Sequence, residues 1–273
     1  MPLYSAVSPM PVNRIKNRLF DADARDYILR VEAADGQRLE SQVRGAINAF
    51  VIGCKADGTW TSLVASCIMA GARTVAGAIV PLRGNAPTNN NFAAGDYSRT
   101  LGLLGNDSNK YLNTGYNNND TTNFPQNNCH ISCFVSVTNA DNNTGVLVGN
   151  NVQIGSFLNI GHSAINSTIF KNRTTTNTRT VALSAVGFQG TSRDGSASLF
   201  SRQTTSGGAI SDLSQATGSG TPASQLYGVF ASGLGSNPTS ARISFYSIGK
   251  SLSIPNLDTR VTTLMNTLAS VIV

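Results

Sequence analysis

The segment CHISCF places a thiol beside an imidazole, at Cys129 and His130. That pairing is the arrangement of a cysteine nucleophile and its general base. The segment has the composition of a β-strand, and adjacent strand residues point to opposite faces, so we expect the two side chains to diverge. Neither His130 nor His162 lies in a nucleophile-elbow sequence. The sequence therefore predicts no nucleophilic catalysis by these residues.

Paired carboxylates are the second chemistry to consider, because a glycosidase needs one protonated and one ionised carboxyl group across its substrate. The chain has only two glutamates, Glu32 and Glu40, and both precede the part that reads as β-structure. The other candidates are aspartates, which fall mainly in loops and turns: Asp96, Asp107, Asp120, Asp141, Asp194, Asp212 and Asp258. No two of these are spaced two or four apart on a predicted strand. We expect that the chain is not an enzyme.

Aromatic and amide side chains in the Asn-rich loops provide a third chemistry, sugar binding. A sugar site needs an aromatic platform and a few planar amides. The candidate carbohydrate-binding residues are Tyr111, Tyr116, Asn118 and Phe124. Asn-rich loops also close the ends of β-sandwiches, because Asn tolerates left-handed turns. Both interpretations stay open on the sequence.

Metal and disulfide sites are not predicted. Cys129 and Cys133 would lie roughly 13 Å apart in a strand, beyond the reach of a disulfide. Cys54 and Cys67 would face one another across a helical hairpin, where packed, reduced thiols are favoured over a bridge. No His, Cys or acidic spacing matches a zinc or calcium motif, so we expect neither a metal nor another cofactor.

Charge and hydropathy exclude two classes of partner. Net charge is +6, and residues 1–90 and 91–273 each carry ten Lys/Arg against seven Asp/Glu, so the excess is +3 in both parts. A charge spread this evenly does not predict nucleic-acid binding. Since no run of apolar residues is long enough for a membrane-spanning helix, membrane insertion is not expected either. The N-terminus lacks the apolar core of a secretory signal.

The chain divides into three predicted regions. Residues 1–31, with three prolines and alternating charges, are predicted to form an extended arm. Residues 32–90 are predicted to form a helical hairpin and a linker, with a first helix over 36–52 that ends at Gly53. The second helix is predicted around Trp60 to Met69, because the apolar residues there recur at helical spacing. Residues 91–273 are predicted to form a β-sandwich followed by a short C-terminal helix.

The β-region is identified by short strands separated by turn sequences. Ten strands are predicted in LGLLG, NKYLNTG, HISCFVSV, GVLVGN, QIGSFLNIG, STIFKN, RTVALSAVGFQG, ASLFSRQ, QLYGVFASG and ARISFYSIG. Asp194-Gly195 between two of them predicts a hairpin, because this pair accepts positive φ. Many short strands without intervening long helices are typical of an antiparallel jelly roll, so the predicted fold class is mainly β.

Three stretches resemble a known group of proteins: VEAADGQRLESQVRGAINAFVIGCKADGTWTSLVASCIMAGARTVAGAIVPL, NFAAGDYSRTLGLLGNDSNKYLNTG and ISFYSIGKSLSIPNLDTRVTTLMNTL. They are similar to phage and prophage virion proteins with a laminin-G-like, concanavalin-A-like jelly roll. The resemblance implies entry strands around Gly102–Leu112 and a final strand around Phe245–Gly249. It implies a non-enzymatic structural or adhesive subunit of a virion, made in the host cytoplasm and associated with the tail, baseplate or fibre. A capsid decoration protein and a lectin-like adhesin that binds a host surface glycan are the alternatives.

Assembly is predicted to use the N-terminal third. An arm of scattered apolar residues cannot offset its ordering entropy alone, so we expect it to bind another surface. The candidate assembly residues are Leu19, Phe20, Phe50 and Trp60. Partners would be other virion proteins or copies of this chain, with a homotrimer favoured by analogy with phage fibres. The alternative is that hairpin and sandwich form one closed core.

Overall fold

The computed structural model describes residues 20–138, 145–150, 155–160, 168–174, 178–179, 184–205 and 207–272. The helices are α1 (Ala22–Asp35), α2 (Ser41–Ala56), α3 (Val75–Ala78) and α4 (Ile254–Val271), with 3₁₀ turns at Trp60–Ser62 and Ala94–Asp96. The strands are β1 (Leu63–Ile68), β2 (Thr88–Asn90), β3 (Tyr97–Ser98), β4 (Gly102–Leu104), β5 (Tyr111–Asn117), β6 (Cys129–Val137), β7 (Gly145–Gly149), β8 (Gly155–Ile160), β9 (Ile169–Thr174), β10 (Thr178–Arg179), β11 (Ser184–Arg193), β12 (Ser198–Thr205), β13 (Ile210–Ala216), β14 (Leu226–Val229) and β15 (Arg242–Gly249).

Helix α1 lies where an extended arm was predicted, so that prediction is wrong for residues 22–31. Asp21 caps the helix by accepting hydrogen bonds from the backbone N–H groups of Asp23 and Ala24. Gly36, with φ of +65°, ends it in the left-handed conformation. The buried positions Ala24, Tyr27, Ile28 and Val31 do follow helical spacing, but exposed charged residues separate them. Leu19 and the rest of residues 1–19 lie outside the described residues.

Helix α2 confirms the first predicted helix, although it continues through Gly53 to Ala56. Gly53 is therefore an interior helix residue and not the cap. Its backbone packs under the side chain of Arg260. An added Cβ would meet Arg260 Cδ at 2.7 Å. Arg260 also binds Asp57 through two hydrogen bonds of 2.7 and 2.9 Å, which joins the end of α2 to α4.

The second predicted helix does not exist. Its residues form a short 3₁₀ turn at Trp60–Ser62 and strand β1, which pairs antiparallel with β15. β1 is buried on both faces, and a continuous run of buried apolar residues has no period that separates a strand from a helix. The helical hairpin therefore consists of α1 and α2. The predicted hairpin paired the segment of α2 with the segment that forms β1.

Two antiparallel sheets form the sandwich, which confirms the predicted jelly-roll fold class. Along the first sheet the order is β13-β12-β11-β6-β15-β4-β3, with β1 also paired to β15. The second sheet has the order β10-β9-β8-β7-β14-β5-β2. β11 and β12 form the hairpin predicted from Asp194-Gly195. The predicted C-terminal helix is confirmed as α4, capped by the Ser253 side chain.

The helices make a third layer on the outer face of the first sheet. β15 shows this directly, because Phe245 packs with the helical layer while Tyr246 and Ile248 pack between the sheets. Phe50 of α2 meets Phe245 edge-to-face, with ring centroids 5.9 Å apart. Phe50 and Trp60 are thus buried in the chain's own core and are not an exposed assembly surface. Phe20 is half-buried, with the Arg44 guanidinium over its ring.

All four cysteines are buried and are not joined by disulfides in the structure. Within the described ranges, no helix is both long and apolar enough to cross a membrane. The same residues contain no group of three or more His, Cys, Asp or Glu that could hold a metal ion.

Candidate functional site

The predicted sugar platform is only partly on the surface. Tyr111 and Tyr116 in β5 are half-buried, but Asn118 and Phe124 are fully buried. Asn118 accepts a hydrogen bond from the Tyr227 hydroxyl at 2.9 Å and donates to the Ala223 carbonyl at 3.0 Å. The Asn118 amide thus bonds within the protein, and the Phe124 ring packs in the core. The prediction that Asn118 and Phe124 contact a sugar is therefore wrong.

Tyr116 instead borders a cleft of about 460 Å³ where the helical layer meets the sandwich. We call it the junction cleft. Its lining residues are Asp23, Asp26, Arg30, Trp60, Thr61, Leu63, Val64, Leu82, Arg83, Gly84, Tyr116, Asn123 and Lys250. The volume lies in the range of small-molecule sites, roughly 300–1,000 Å³. Polar and charged side chains dominate the lining, with two aromatic rings among them.

Trp60 forms the inner wall of the junction cleft. Its indole Nε1–H donates to Asp23 Oδ2 at 3.1 Å, which fixes the ring plane. Two cations lie over the ring, with Lys55 Nζ 5.7 Å and the Arg83 guanidinium carbon 5.2 Å from the centroid. The ring is thereby rigid, and Arg83 is held against it.

Both carboxylates of the cleft form ion pairs, although Asp23 shares its cation, Lys55, with Asp21. Lys55 Nζ lies 2.6 Å from Asp23 Oδ2 and 2.7 Å from Asp21 Oδ1, and these hydrogen bonds raise the pKa of Lys55. Asp26 pairs with Arg30 one helical turn later, at 2.9 Å. Arg30 also donates to the Pro81 carbonyl at 2.7 Å.

Arg83 and Lys250 are different, because neither forms an ion pair with any acidic residue that the structure describes. Arg83 Nε donates only a long hydrogen bond, 3.4 Å, to the Leu63 carbonyl. Lys250 follows β15 directly and is exposed, while its backbone N–H donates to Ser62 at 3.0 Å. Of the fourteen acidic residues in the sequence, thirteen lie in the described ranges; Asp141 is the exception. The cleft therefore carries two cations that form no ion pair with a described carboxylate, and its lining residues, two aspartates and three cations, have a net charge of +1.

Gly84 fixes Tyr116 at the cleft edge. Gly84 has φ of +83°, and an added Cβ would lie 2.2 Å from the Val64 carbonyl oxygen and 2.8 Å from the Tyr116 hydroxyl. The backbone N–H of Asn85 donates to the same hydroxyl at 3.3 Å. The Tyr116 ring also packs edge-to-face on Phe124, with centroids 5.6 Å apart. Only a glycine permits this close approach.

A second group of cations lies inside the sandwich. Arg173 and Arg193 are fully buried. Arg173 donates to the Asn118 and Phe124 carbonyls at 2.6 and 2.8 Å, and also to the Asn118 side chain. Arg193 donates to the Asn172 carbonyl at 3.0 Å and to the carbonyls of the turn that follows it. Both arginines thus bind backbone carbonyls and hold loops to strands.

Cys129 and His130 diverge as predicted for strand neighbours. The Cys129 thiol donates to Asn172 Oδ1 at 3.0 Å, and burial raises the pKa of the thiol. His130 Nδ1–H donates to the Lys250 carbonyl at 2.6 Å, so its Nε2 accepts from the Ser247 hydroxyl at 2.9 Å. Burial lowers the pKa of His130 to about 4, which keeps the ring neutral.

Among the carboxyl groups that the structure describes, Asp258 is the one whose pKa is raised, because of its burial, and a raised pKa is what a glycosidase acid requires. It does not line the junction cleft. Thr262 donates to it at 2.8 Å and Arg202 lies 3.4 Å away, so it ties α4 to β12.

Sequence reasoning missed most of the junction cleft. Of the residues selected from the sequence as sugar-binding, only Tyr116 lines it. Arg83 and Lys250 carry no motif, and their one local signal is that each follows a short apolar segment. The two residues lie near each other because β1 pairs with β15. The sequence predicted a helix in place of β1.

No protein-family model matches the sequence, and no curated protein matches it either. Among solved structures, the botulinum neurotoxin serotype D binding domain is similar at 11% identity and a TM-score of 0.48, over 74% of this chain and 51% of that chain. A mutant Trypanosoma rangeli sialidase displaying trans-sialidase activity matches at 9% identity and a TM-score of 0.42, over 82% of this chain and 39% of that one. A mutant GH43 protein from Bacillus licheniformis matches at 9% identity and a TM-score of 0.33, over 52% of this chain and 33% of that chain. With TM-scores below 0.5, these likenesses carry no argument about what this chain does.

Proposed function

We propose that this chain is a non-enzymatic structural and adhesive subunit of a bacteriophage virion, with a tail, baseplate or fibre position favoured. Three stretches of the sequence resemble phage virion proteins, in the same order along the chain, and this resemblance supports the virion role. One structural observation supports the adhesive part: the junction cleft combines an aromatic wall, a half-buried tyrosine and two unpaired cations on a rigid frame. Such a cleft is suited to holding a ligand.

A non-catalytic role is supported by the state of the carboxylates. Asp23 and Asp26 are ion-paired with Lys55 and Arg30, which favours their charged form, whereas a glycosidase acid must carry a proton. Asp258, whose burial is suited to an acid, lies outside the cleft. Incubation of the purified chain with envelope polysaccharide of the host should therefore release no reducing ends. Release that one Asp→Asn change abolishes would refute the non-enzymatic proposal.

The virion role is tested on particles of the phage or prophage that encodes the chain. Particles purified on a density gradient should contain the chain by mass spectrometry, at the abundance of a structural protein. Gold-labelled antibodies should then mark the tail end in electron micrographs. Label over the head would favour the decoration alternative, and a chain found only in the soluble fraction would refute the virion role.

Assembly into a homo-oligomer, with a trimer favoured, is also proposed. Phe50 and Trp60 present little surface to a partner, because both are buried, although Phe50 lies at the base of the groove described next. An outward-facing groove of about 430 Å³ between α2 and α4 is available instead, with Gly45, Ala49 and Thr263 in its lining. Light scattering of the full chain decides the question: a trimer mass supports the proposal, and a monomer mass at all concentrations refutes it.

A further inference from the structure

We infer that the junction cleft binds an acidic saccharide, whose carboxylate or phosphate group is held by Arg83 and Lys250. This inference rests on the proposed function and deepens it, because it names the class of ligand that the adhesive surface takes. It concerns residues that sequence reasoning did not select. Saccharides that carry a carboxylate and saccharides that carry a phosphate share this chemistry, an anionic group on a polyhydroxylated ring.

The unmatched charge calls for an anion. Asp23 and Asp26 are paired within the chain, with Lys55 (which Asp23 shares with Asp21) and with Arg30, whereas Arg83 and Lys250 pair with no described carboxylate. The lining residues, two aspartates and three cations, leave the cleft with a net charge of +1. Arg83 uses its Nε–H in a 3.4 Å bond to the Leu63 carbonyl, and its terminal N–H groups have no acceptor among the described residues. A guanidinium fork with free N–H groups is the side chain that matches carboxylate and phosphate oxygens.

The remaining lining residues fit a sugar. The Tyr116 ring is half-buried and supported from behind by Phe124, which makes it a fixed apolar surface for a pyranose ring. Thr61 presents an exposed hydroxyl group. Asn123 donates to Asp120 at 2.7 Å through Nδ2, which leaves its carbonyl oxygen for a sugar hydroxyl.

Other ligand classes fit less well. An apolar ligand would bury Arg83 and Lys250 without partners, and an unpaired buried charge is costly. A nucleic-acid strand would bring its phosphates against Asp26, whose side chain is 69% exposed at the rim. A short acidic saccharide places one anion at the cations and its hydroxyl groups at the polar walls.

Isothermal titration calorimetry on the full chain tests the inference with three probes. Trigalacturonate carries carboxylates, mannose 6-phosphate carries a phosphate, and maltotriose is neutral. We expect at least one acidic probe to bind and maltotriose to bind at least tenfold more weakly. The acidic probe that binds identifies the anion. Binding should weaken as the ionic strength rises from about 0.01 M to about 1 M, where the Debye length falls from about 30 to about 3 Å.

Variants assign the binding to the cleft. Arg83→Gln and Lys250→Gln should each weaken the acidic probe about tenfold, the loss expected for one charge-assisted hydrogen bond. Arg38→Gln, which removes an exposed cation outside the cleft, is the matched control and should bind as the wild type does. Unchanged melting temperatures show that the variants fold.

Three results would overturn the inference: no binding of either acidic probe, equal binding of maltotriose, or variants that bind as tightly as the wild type. None of these touches the virion role, because the presence of the chain in purified particles is measured separately. Absence from particles together with cleft binding would refute the virion role alone.

Discussion

The buried end of the jelly roll and the junction cleft both hold cations that no described carboxylate neutralises, yet they hold them in opposite ways. Inside the sandwich, Arg173 and Arg193 each donate to at least two backbone carbonyls. In the cleft, Arg83 and Lys250 keep their charged ends next to open space. Position relative to solvent, not residue type, separates a cation that stabilises the fold from one available to a ligand.

The contrast also concerns geometry. Arg173 spans two carbonyls of the Asn-rich loop from β9, and a planar guanidinium is the side chain that can do so. Burial lowers the pKa of Arg193, but a guanidinium keeps its charge in proteins. These arginines hold loop segments at the end of the sandwich. The charged group of Arg83, by contrast, makes only one long hydrogen bond, to the Leu63 carbonyl, and a contact with the Trp60 ring.

Replacing Arg173 should have the largest effect on stability. Arg173→Met removes the charge but leaves the Asn118 and Phe124 carbonyls buried without donors, so we expect unfolding to become easier by about 2–5 kcal/mol. Urea unfolding measures the loss. Arg173→Lys is the control: one ammonium cannot reach both carbonyls as a fork does, so it should recover only part of the stability. A change below about 0.5 kcal/mol in Arg173→Met, the size of an ordinary surface substitution, would contradict the structural role.

His130 shows what burial does to a group that can lose its charge. Burial lowers its pKa to about 4, whereas an unfolded chain titrates near 6.5. As the pH falls, the unfolded state therefore binds a proton before the folded state does. The stability that neutral His130 contributes is fully present above about pH 6.5, and the free energy of unfolding should decrease by about 3 kcal/mol between there and pH 4. Denaturant unfolding across this range measures the decrease.

His130→Asn is the control for that pH dependence. Asn keeps a donor towards the Lys250 carbonyl but has no group that titrates in this window. The variant should be less stable than the wild type at pH 7, and the difference between the two should shrink as the pH approaches 4. A difference that stays constant with pH would show that folding does not shift the pKa of His130, and would contradict the effect of burial.

The cleft cations should have the smallest effect on stability. Arg83→Gln and Lys250→Gln should change the free energy of unfolding by no more than about 0.5 kcal/mol, because neither side chain forms an ion pair with a described residue. Urea unfolding beside Arg173→Met gives the comparison in one experiment. Losses of similar size in all three variants would erase the distinction between the two regions.

Much of the fold could be predicted from the sequence, because its signals are local. All ten predicted β-segments contain a strand, and α4 and the Asp194-Gly195 hairpin were found from their own residues. β1 was missed since both its faces are buried, and α1 since charges interrupt its apolar positions.

The junction cleft could not be predicted, because it is assembled from distant parts of the chain. Arg83 and Lys250 are 167 positions apart and come together through the pairing of β1 with β15. The burial of Asn118 and Phe124 also depends on distant residues, Arg173 and Tyr227, that no spacing rule connects to them. Residue type alone therefore suggested a sugar platform that the fold uses as core.

Fluorescence of Trp60 tests most directly that the unpaired cations of the junction cleft serve a ligand. Trp60 is the single tryptophan of the chain and forms the cleft wall beneath Arg83, so its emission reports on this site alone. Titration with the acidic saccharide that binds in calorimetry should change the emission saturably, and the change should disappear in an Arg83→Gln/Lys250→Gln double variant that still unfolds like the wild type. Emission that stays constant while calorimetry records binding would place the ligand elsewhere and contradict the account.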